Sequence, residues 1–366
     1  MVVWREGYPR AGSDAALAGG ARPSVRSVRP TGWDRVPEHH GRNVDAVIRT
    51  KPRPADLSES RPVLLALAGD SASGKSTLSH GIEYILGPDR VGLICTDDYH
   101  RHDRAERAEL GVTPLAPSAN RMDLLAENLR SLAGGADVTK PTYDHHTGRF
   151  GPPETIHPTE IVIVEGLLPL ADRGTRDAID VAVYLEPDEI LRRRWKLERD
   201  VFERGYAPAQ VVEELKRREA DAAEHVRPQR DFADIVVRFH RRPGAEDDEH
   251  LSARLTVRPT LPYPGLRALV GSFAPQAVEP IRWSSASDPR GPVSVLDVDG
   301  NCPPDLGEEL EDVIWAYLRP DDRMQRERIG VVRHPEHGPV RSEALALCQL
   351  LIVSHLVGTL DGAFDL

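Results

Sequence analysis

The chain has 366 residues, 40% of them hydrophobic, which is enough for a sizeable core and, by length, about two domains. Its formal net charge is −11, from 47 basic and 58 acidic residues, whereas nucleic-acid binders usually carry a basic excess. Three cysteines are too few for a disulfide framework and suit a reducing cytosol. We therefore expect a cytoplasmic protein whose main partner is not nucleic acid.

Residues 1–60 are rich in Arg, Pro, Gly and Ser and lack hydrophobic periodicity, which predicts a flexible leader. The first residues contain no apolar stretch of the kind that a signal peptide needs. The longest apolar stretch, Ala344–Val357, contains three polar residues and is about 14 residues long, which is short for a membrane span. We expect a buried helix there and no membrane association.

Ordered structure is predicted from Pro62 onward, where short apolar runs alternate with helical patterns. The predicted strands are Val63–Ala68, Val91–Cys95, Ile161–Val164, Val181–Leu185 and Ile235–Phe239. Helices are predicted after the first strand and around Met122–Leu132, where Gly134 and Gly135 supply a stop. This alternation indicates an α/β fold, doubly wound, with a mostly parallel sheet and helices on both faces.

A boundary is predicted at 241–250, where Pro, Gly and a run of acidic residues interrupt the pattern. The chain then divides into a core over 61–240, a linker over 241–250 and an α+β extension over 251–366. Two predicted strands of the extension, Leu251–Leu261 and Val293–Val298, are candidates for lengthening the same sheet. A helical face is also predicted there, formed by Leu306, Leu310, Val313, Ile314 and Tyr317.

The strongest motif lies between the first strand and the first helix and fits G-x-x-x-x-G-K-[ST] in full. It consists of Gly69, Asp70, Ser71, Ala72, Ser73, Gly74, Lys75 and Ser76, and Thr77 follows. In this motif, backbone N–H groups and the positive end of the helix converge on phosphate oxygens. Lys75 is expected to reach the β- and γ-phosphates, and Ser76 to offer its hydroxyl to Mg²⁺. A Gly-rich turn with an unrelated lysine is the alternative interpretation.

Polar residues follow two other strands at the edge where ligands bind in open α/β sheets. Asp97 and Asp98 end the second strand, and either carboxylate is able to take a proton from an attacking hydroxyl. Basic residues follow, which favours an acceptor that already bears a phosphate over a merely solvated loop: His100, Arg101, Arg104 and Arg107. Glu165 ends the third strand and is interpreted as a second Mg²⁺-associated group or as an edge carboxylate.

A helix is predicted from about Glu189 to Glu203 with two contrasting sides. Four charged residues fall within an arc of roughly 140°: Lys196, Arg199, Asp200 and Arg204. The opposite side is apolar and is expected to pack inward: Leu191, Trp195 and Phe202. The charged side is interpreted as a solvated face or as an electrostatic lid over a transferring phosphate. The polar segment Lys140–Gly148 similarly suits either polyol recognition or an Asx-type turn.

Four segments together resemble the phosphoribulokinase family, in particular its plant and cyanobacterial branch. They are Gly69–Thr77, Asp97–Arg104, Lys140–Gly148, and Glu165–Leu167 combined with Lys196–Gly205. The resemblance covers about residues 62–240 well and extends more loosely through Val293–Gly300 and the last helix.

The resemblance implies a P-loop kinase that uses ATP and Mg²⁺ to phosphorylate the C1 hydroxyl of D-ribulose 5-phosphate, a step of Calvin-cycle carbon fixation. It also implies a homodimer. It makes Asp97 the general base and assigns Ser76 and Glu165 to Mg²⁺. Sugar-phosphate contacts are implied for His100, Arg104, Tyr143, His145 and Arg204. Roles around the transferring phosphoryl group are implied for Lys75, Lys196, Arg199 and Asp200.

The chain departs from the family pattern at three positions. Ser73 replaces a cysteine of the plant-type loop, so the disulfide that would join it to Cys95 is impossible here. Leu168 stands where the family usually has His, and Ala108 stands near a usual basic position. Two alternatives therefore stay open, namely a related kinase acting on uridine or another sugar phosphate, and a catalytically silent nucleotide-binding regulatory protein.

Overall fold

The computed structural model describes residues 61–242, 244, 250–261, 280–334 and 338–360, so the predicted leader lies outside the described residues. The strands are β1 (Val63–Gly69), β2 (Val91–Cys95), β3 (Val138–Lys140), β4 (Tyr143–Asp144), β5 (Arg149–Phe150), β6 (Glu154–Ile156), β7 (Ile161–Gly166), β8 (Val181–Leu185), β9 (Ile235–His240), β10 (Ser252–Val257), β11 (Ile281–Asp288), β12 (Gly291–Val298), β13 (Val331–His334) and β14 (Gly338–Arg341). The α-helices are α1 (Lys75–Leu86), α2 (Arg104–Leu110), α3 (Met122–Ala133), α4 (Arg173–Arg176), α5 (Glu189–Phe202), α6 (Pro208–Asp221), α7 (Pro304–Leu318) and α8 (Glu343–Leu360).

Eight strands form one sheet in the order β11-β12-β10-β9-β8-β1-β7-β2. The five strands from β9 to β2 are parallel, which confirms the predicted doubly wound core. The strands β10, β12 and β11 continue the sheet by antiparallel pairing, beginning with β10 against β9. Because the five parallel strands share one direction, the loops after β1, β2, β7 and β8 meet at one edge of the sheet.

The central strand β1 is buried on both faces of the sheet, as expected for a parallel strand covered by helices. Its side chains alternate: Leu65 and Leu67 belong to one core cluster, and Leu64 and Ala66 to the other. Helices α1, α7 and α8 contribute to the first cluster, and α3 contributes to the second. β1 is thereby held between two cores, and its carboxyl end is a firm base for the loop that follows.

Helix α8 is the apolar helix that the sequence predicts near the carboxyl end. Among the described residues it is the one helix with the length and hydropathy of a membrane span, but 78% of it is buried inside the protein. Ala344–Leu356 is buried without interruption, and the helix packs against α1 and α7. It is therefore a core helix of this fold.

Two expectations about helix faces are wrong. Phe202 is 85% exposed although it shares a face with the buried Trp195, because it is the last residue of α5 and lies beyond the core contacts of that helix. In α7, Tyr317 is exposed and Leu318 is buried in its place beside Leu310 and Ile314. The buried stripe of α7 is thus rotated by about one residue from the predicted one.

Candidate active site

The loop between β1 and α1 has a backbone suited to anion binding. Gly69, Ala72 and Gly74 have φ angles of 149°, 63° and 96°, and turns with such angles direct N–H groups to one side. A Cβ at Gly69 would lie 2.6 Å from the carbonyl oxygen of Leu185, so this position excludes a side chain. Helix α1 begins directly after the loop, at Lys75, and its amino end adds a positive dipole.

Lys75 folds back over this loop. Its Nζ donates to the carbonyl oxygens of Gly69 at 2.9 Å and Asp70 at 2.8 Å. Burial lowers the pKa of Lys75, against the opposing effect of Glu165 and nearby aspartates. Because its two short hydrogen bonds go to neutral carbonyl oxygens, an anionic phosphate oxygen would be a stronger partner for the same ammonium.

Ser76 and Glu165 meet across the site. The Ser76 hydroxyl donates to Glu165 Oε1 at 3.2 Å, and the Ser79 hydroxyl donates to Glu165 Oε2 at 2.8 Å. Hydroxyl and carboxylate oxygens are the ligands that Mg²⁺ prefers, so this pair fits a magnesium ion. The buried Thr77 hydroxyl next to them has no hydrogen-bond partner among the described residues, which is consistent with an oxygen-rich ligand in this loop.

The structure separates the two adjacent carboxylates after β2. Asp98 is buried, and its Oδ2 accepts a hydrogen bond from Lys140 Nζ at 2.6 Å. Its Oδ1 accepts from the backbone N–H of Tyr143 at 2.7 Å. Both carboxylate oxygens are occupied, so Asp98 attaches the polar segment after β3 to the end of β2 and is not available as a base.

Asp97 faces the opposite way, toward the phosphate-binding loop. Burial would raise the pKa of its carboxyl, but electrostatic interactions with neighbouring side chains hold that pKa below its usual value. These neighbours are His100, His145, Lys75 and Arg204. Asp97 Oδ2 lies 3.4 Å from the Nε2 of His145. Asp97 is therefore an ionised carboxylate at neutral pH, placed between the lysine of the loop and the residues predicted to bind an acceptor.

His100 is held in one orientation by Asn120, a residue that the sequence gives no reason to select. The Asn120 amide donates to the carbonyl oxygens of Pro114 and Ala116, which leaves its Oδ1 to accept from His100 Nδ1 at 2.7 Å. Burial lowers the pKa of His100. Nδ1 is thus the nitrogen that carries a proton toward Asn120, and in the neutral imidazole Nε2 is the acceptor.

Tyr143, His145 and Arg104 are brought together by the β4–β5 hairpin. The rings of Tyr143 and His145 meet edge to face at 5.3 Å, and Arg107 donates to the Tyr143 hydroxyl at 2.7 Å. Arg104 donates to the backbone oxygens of His145 and His146. Arg101, by contrast, pairs with Asp123 near the surface and donates to the backbone oxygen of Asn120 at 2.9 Å. Only part of the basic loop therefore reaches the site.

The polar segment Lys140–Gly148 contains the Asx-type turn that was one of its two interpretations. Asp144 is exposed, and it accepts from the His146 backbone N–H at 2.8 Å and from the Thr147 hydroxyl at 2.7 Å, which is an Asx-type turn. That turn presents Tyr143 and His145 toward Asp97. The turn thus supports the part of the segment that reaches the site.

The charged side of α5 is buried against the phosphate-binding loop rather than solvated. Lys196 Nζ donates to Asp200 Oδ2 at 2.6 Å, and Arg199 donates to Asp200 Oδ1 at 2.9 Å. Arg199 also donates to the Ser71 hydroxyl at 3.0 Å, and Arg204 lies 3.4 Å from Asp200. Burial lowers the pKa of Lys196 to about 8. One carboxylate thus holds three cations beside the loop, which leaves a local excess of positive charge.

Sequence reasoning missed three further contributors to this site. Ser79 lies one helical turn after Ser76, a spacing that predicts a shared face, but no motif selects it. Arg192 donates to the Ser71 carbonyl oxygen at 3.1 Å and lies one turn before Lys196 on the same face of α5. Asn120 comes from a distant loop and has no sequence signal.

The fold and the site together define an α/β protein of the P-loop class. The model of the Phosphoribulokinase / Uridine kinase family matches residues 64–243. The phosphoribulokinase of Synechocystis is 39% identical over 189 residues, covering 52% of this chain and 57% of that protein. The chloroplastic phosphoribulokinase of Chlamydomonas reinhardtii is 30% identical over 303 residues, covering 70% of this chain and 76% of that protein. The chain belongs to the phosphoribulokinase and uridine kinase family.

The extent of these matches differs from relative to relative. The match to the Synechocystis protein spans little more than half of that protein's length. The solved structure of phosphoribulokinase from Rhodobacter spheroides is similar with a TM-score of 0.51 and 20% sequence identity, covering 71% of this chain and 97% of that chain. At this identity the likeness establishes the shared fold.

Proposed function

We propose that this protein is a kinase that transfers the γ-phosphoryl group of ATP to the C1 hydroxyl of D-ribulose 5-phosphate. The observation that carries the proposal is that two adjacent carboxylates have different surroundings. Asp98 is occupied by Lys140 and a backbone N–H, while Asp97 is ionised and faces the phosphate-binding loop. Membership of the family supports the same assignment.

The proposed chemistry uses Asp97 as the general base. Its carboxylate accepts the proton of the acceptor hydroxyl as the oxygen attacks, and the neighbouring cations keep it ionised beforehand. Lys75 and the N–H groups of the loop hold the phosphates of ATP in position. Lys196 and Arg199 supply positive charge where negative charge develops on the transferring group. Ser76 and Glu165 would hold Mg²⁺, which neutralises phosphate charge when bound.

The acceptor is proposed to be anionic because of Arg104, which bonds to the hairpin that carries His145. Arg104 bonds to backbone oxygens, and among the described residues it pairs with no carboxylate. Its guanidinium lies beside the hairpin that carries Tyr143 and His145, at a distance of 6.0 Å from the ring centre of Tyr206. A phosphate of the acceptor would gain a charge-assisted hydrogen bond at this position, whereas a neutral nucleoside would leave the charge unused.

The test is an ADP-release assay with three acceptors, followed by NMR of the product. Ribulose 5-phosphate should support turnover and acquire a phosphate at C1, whereas uridine and ribose 5-phosphate should be poor acceptors. Arg104→Gln should raise the KM for ribulose 5-phosphate, and Arg101→Gln, a matched change at the arginine that pairs with Asp123, should not. Turnover with uridine alone would overturn the acceptor assignment. ATP binding without ADP release from any acceptor would indicate a silent regulatory protein.

The family resemblance also leads us to propose that the enzyme acts in the cytoplasm as a homodimer, within carbon fixation. Size-exclusion chromatography with light scattering measures the mass of the assembly. A monomer at assay concentration would contradict the dimer without affecting the proposed reaction.

A further inference from the structure

Three side chains with metal-binding atoms converge beside the proposed base. Cys95, Asp97 and His145 place the sulfur, a carboxylate oxygen and an imidazole nitrogen within 4.8 Å of one another. Asp97 Oδ2 and His145 Nε2 are 3.4 Å apart. In the part of the chain that the structure describes, this is the one group of three His, Cys, Asp or Glu side chains with ligand atoms this close together. None of the roles proposed above uses the Cys95 thiol.

The distances suit a tetrahedral ion. Bond lengths of about 2.0–2.3 Å to nitrogen, oxygen and sulfur put neighbouring ligands of a tetrahedral zinc ion roughly 3.3–3.6 Å apart. The carboxylate and imidazole already have this separation, and the sulfur lies within 4.8 Å of both, so it has to approach by at most about 1.5 Å. Cys95 is the last residue of β2, and His145 lies in a hairpin turn.

The donor set differs in kind from the proposed magnesium site. Ser76 and Glu165 offer oxygen atoms only, which suit the hard ion Mg²⁺. A thiolate together with an imidazole suits zinc, cobalt or another transition-metal ion instead. Glu165 is the register partner of Cys95 on the neighbouring strand and adds negative charge beside the thiol. Two sites of different selectivity therefore lie next to each other on adjacent strands.

We propose that Cys95, Asp97 and His145 form an inhibitory site for Zn²⁺. Binding converts the Cys95 thiol to a thiolate, which bonds to the metal while the proton passes to solvent. Three protein ligands leave one coordination position for water. The ion occupies the Asp97 carboxylate, so this residue is unable to accept a proton from the acceptor. The inhibition rests on the proposed function, whereas the metal binding does not.

The binding test uses the full chain without ATP or acceptor. Zn²⁺ is titrated calorimetrically, and Co²⁺ is added separately to look for the charge-transfer absorption of a cobalt–thiolate bond. Cys95→Ser removes the sulfur ligand, and Cys302→Ser is the matched control at a buried cysteine in the extension. Circular dichroism of each variant verifies that it is folded.

We expect one Zn²⁺ per chain and a cobalt–thiolate band in the unaltered protein and in Cys302→Ser. Cys95→Ser should lose the band and bind Zn²⁺ more weakly by at least about tenfold, since even residues that only support a ligand contribute roughly 10–100-fold. Equal Zn²⁺ affinity in Cys95→Ser, or no thiolate band in the unaltered protein, would overturn the proposal. Because these readouts need no substrate, they remain decisive if ribulose 5-phosphate is not the acceptor.

The kinetic test concerns regulation alone. Micromolar Zn²⁺ should inhibit ADP release in competition with the acceptor, a chelator should restore the rate, and excess Mg²⁺ should not. Cys95→Ser should keep its activity and lose most of this inhibition. Equal inhibition of Cys95→Ser and the unaltered enzyme would place the inhibitory ion elsewhere.

Discussion

Changing each of the two neighbouring carboxylates after β2 to an amide should have different effects: loss of activity at Asp97 and loss of stability at Asp98. Asp97→Asn keeps the shape of the side chain and removes its ability to accept a proton. Because general-base catalysis contributes roughly 10²–10⁴-fold, kcat should fall by about that factor. ATP binding and the free energy of unfolding should change little, since among the described residues the carboxylate's one ion pair is the 3.4 Å contact with the half-buried His145. Asp98→Asn should instead destabilise the protein.

The magnitude for Asp98→Asn follows from the burial of its partner. Lys140 Nζ lies 2.6 Å from Asp98 Oδ2, and its side chain is only 5% exposed. Removing one member of a buried ion pair typically costs 3–5 kcal/mol, because the other charge stays buried without a partner. Glu154 remains 3.2 Å from the same ammonium, so we expect the low end of that range, about 3 kcal/mol.

The two variants are compared by urea unfolding, by ATP binding and by initial rates. We expect Asp97→Asn to be stable, able to bind ATP and inactive, and Asp98→Asn to be less stable by about 3 kcal/mol. At low temperature, where it is still folded, Asp98→Asn should retain measurable turnover. Near-normal turnover of Asp97→Asn would refute the assignment of the base. An unchanged free energy of unfolding for Asp98→Asn would refute the structural role of its ion pair.

Three further predictions test other parts of the structure. Arg199→Lys should lower kcat/KM for ATP by about tenfold or more, because the single nitrogen of lysine cannot replace the two guanidinium nitrogens that bond to Asp200 and the Ser71 hydroxyl. An unchanged kcat/KM would show that Arg199 has no role in ATP turnover. Burial lowers the pKa of His355 to about 4. As the pH falls below about 6.5, the unfolded state therefore binds a proton that the folded state does not, and about 3 kcal/mol of stability should be lost by pH 4. Urea unfolding at several pH values should show a larger loss of stability in the unaltered protein than in His355→Leu, and parallel pH profiles of the two proteins would contradict the prediction. A Cβ at Gly166 would lie 1.8 Å from Thr96 Oγ1 at a φ of 155°, so Gly166→Ala should lower the melting temperature. An unchanged value would show that the Thr96 side chain yields freely.

Local patterns determine much of this fold. The apolar runs of β1, β2, β7, β8 and β9 are strands in the structure because each is short, buried and bounded by turn residues. Periodicity failed at the ends of helices, where Phe202 is exposed and Leu318 is buried instead of Tyr317. A repeat pattern specifies a face of a helix, but the position of neighbouring elements determines how far along that face the core extends.

The family resemblance predicted which residues form the site, but the environment of each residue depends on the packing of the folded chain. Apart from the family resemblance, nothing in the sequence distinguishes Asp97 from Asp98, since both are carboxylates at the end of one strand. Their separation depends on Lys140, which is 42 positions away from Asp98 and reaches it only after the β3–β6 pair has formed. Asn120 likewise becomes visible only when its loop packs beneath His100.

The sequence by itself determined the phosphate-binding loop, because its glycines, lysine and serine act within one turn of chain and need no distant partner. It also determined the alternation of strands and helices that brings the loops to one edge of the sheet. The tertiary structure alone decided which charges are paired, which of the two carboxylates is bound by Lys140, and that Cys95 and His145 meet at Asp97. These properties depend on distances and burial between segments that are far apart in the chain, and local residue patterns carry no information about them.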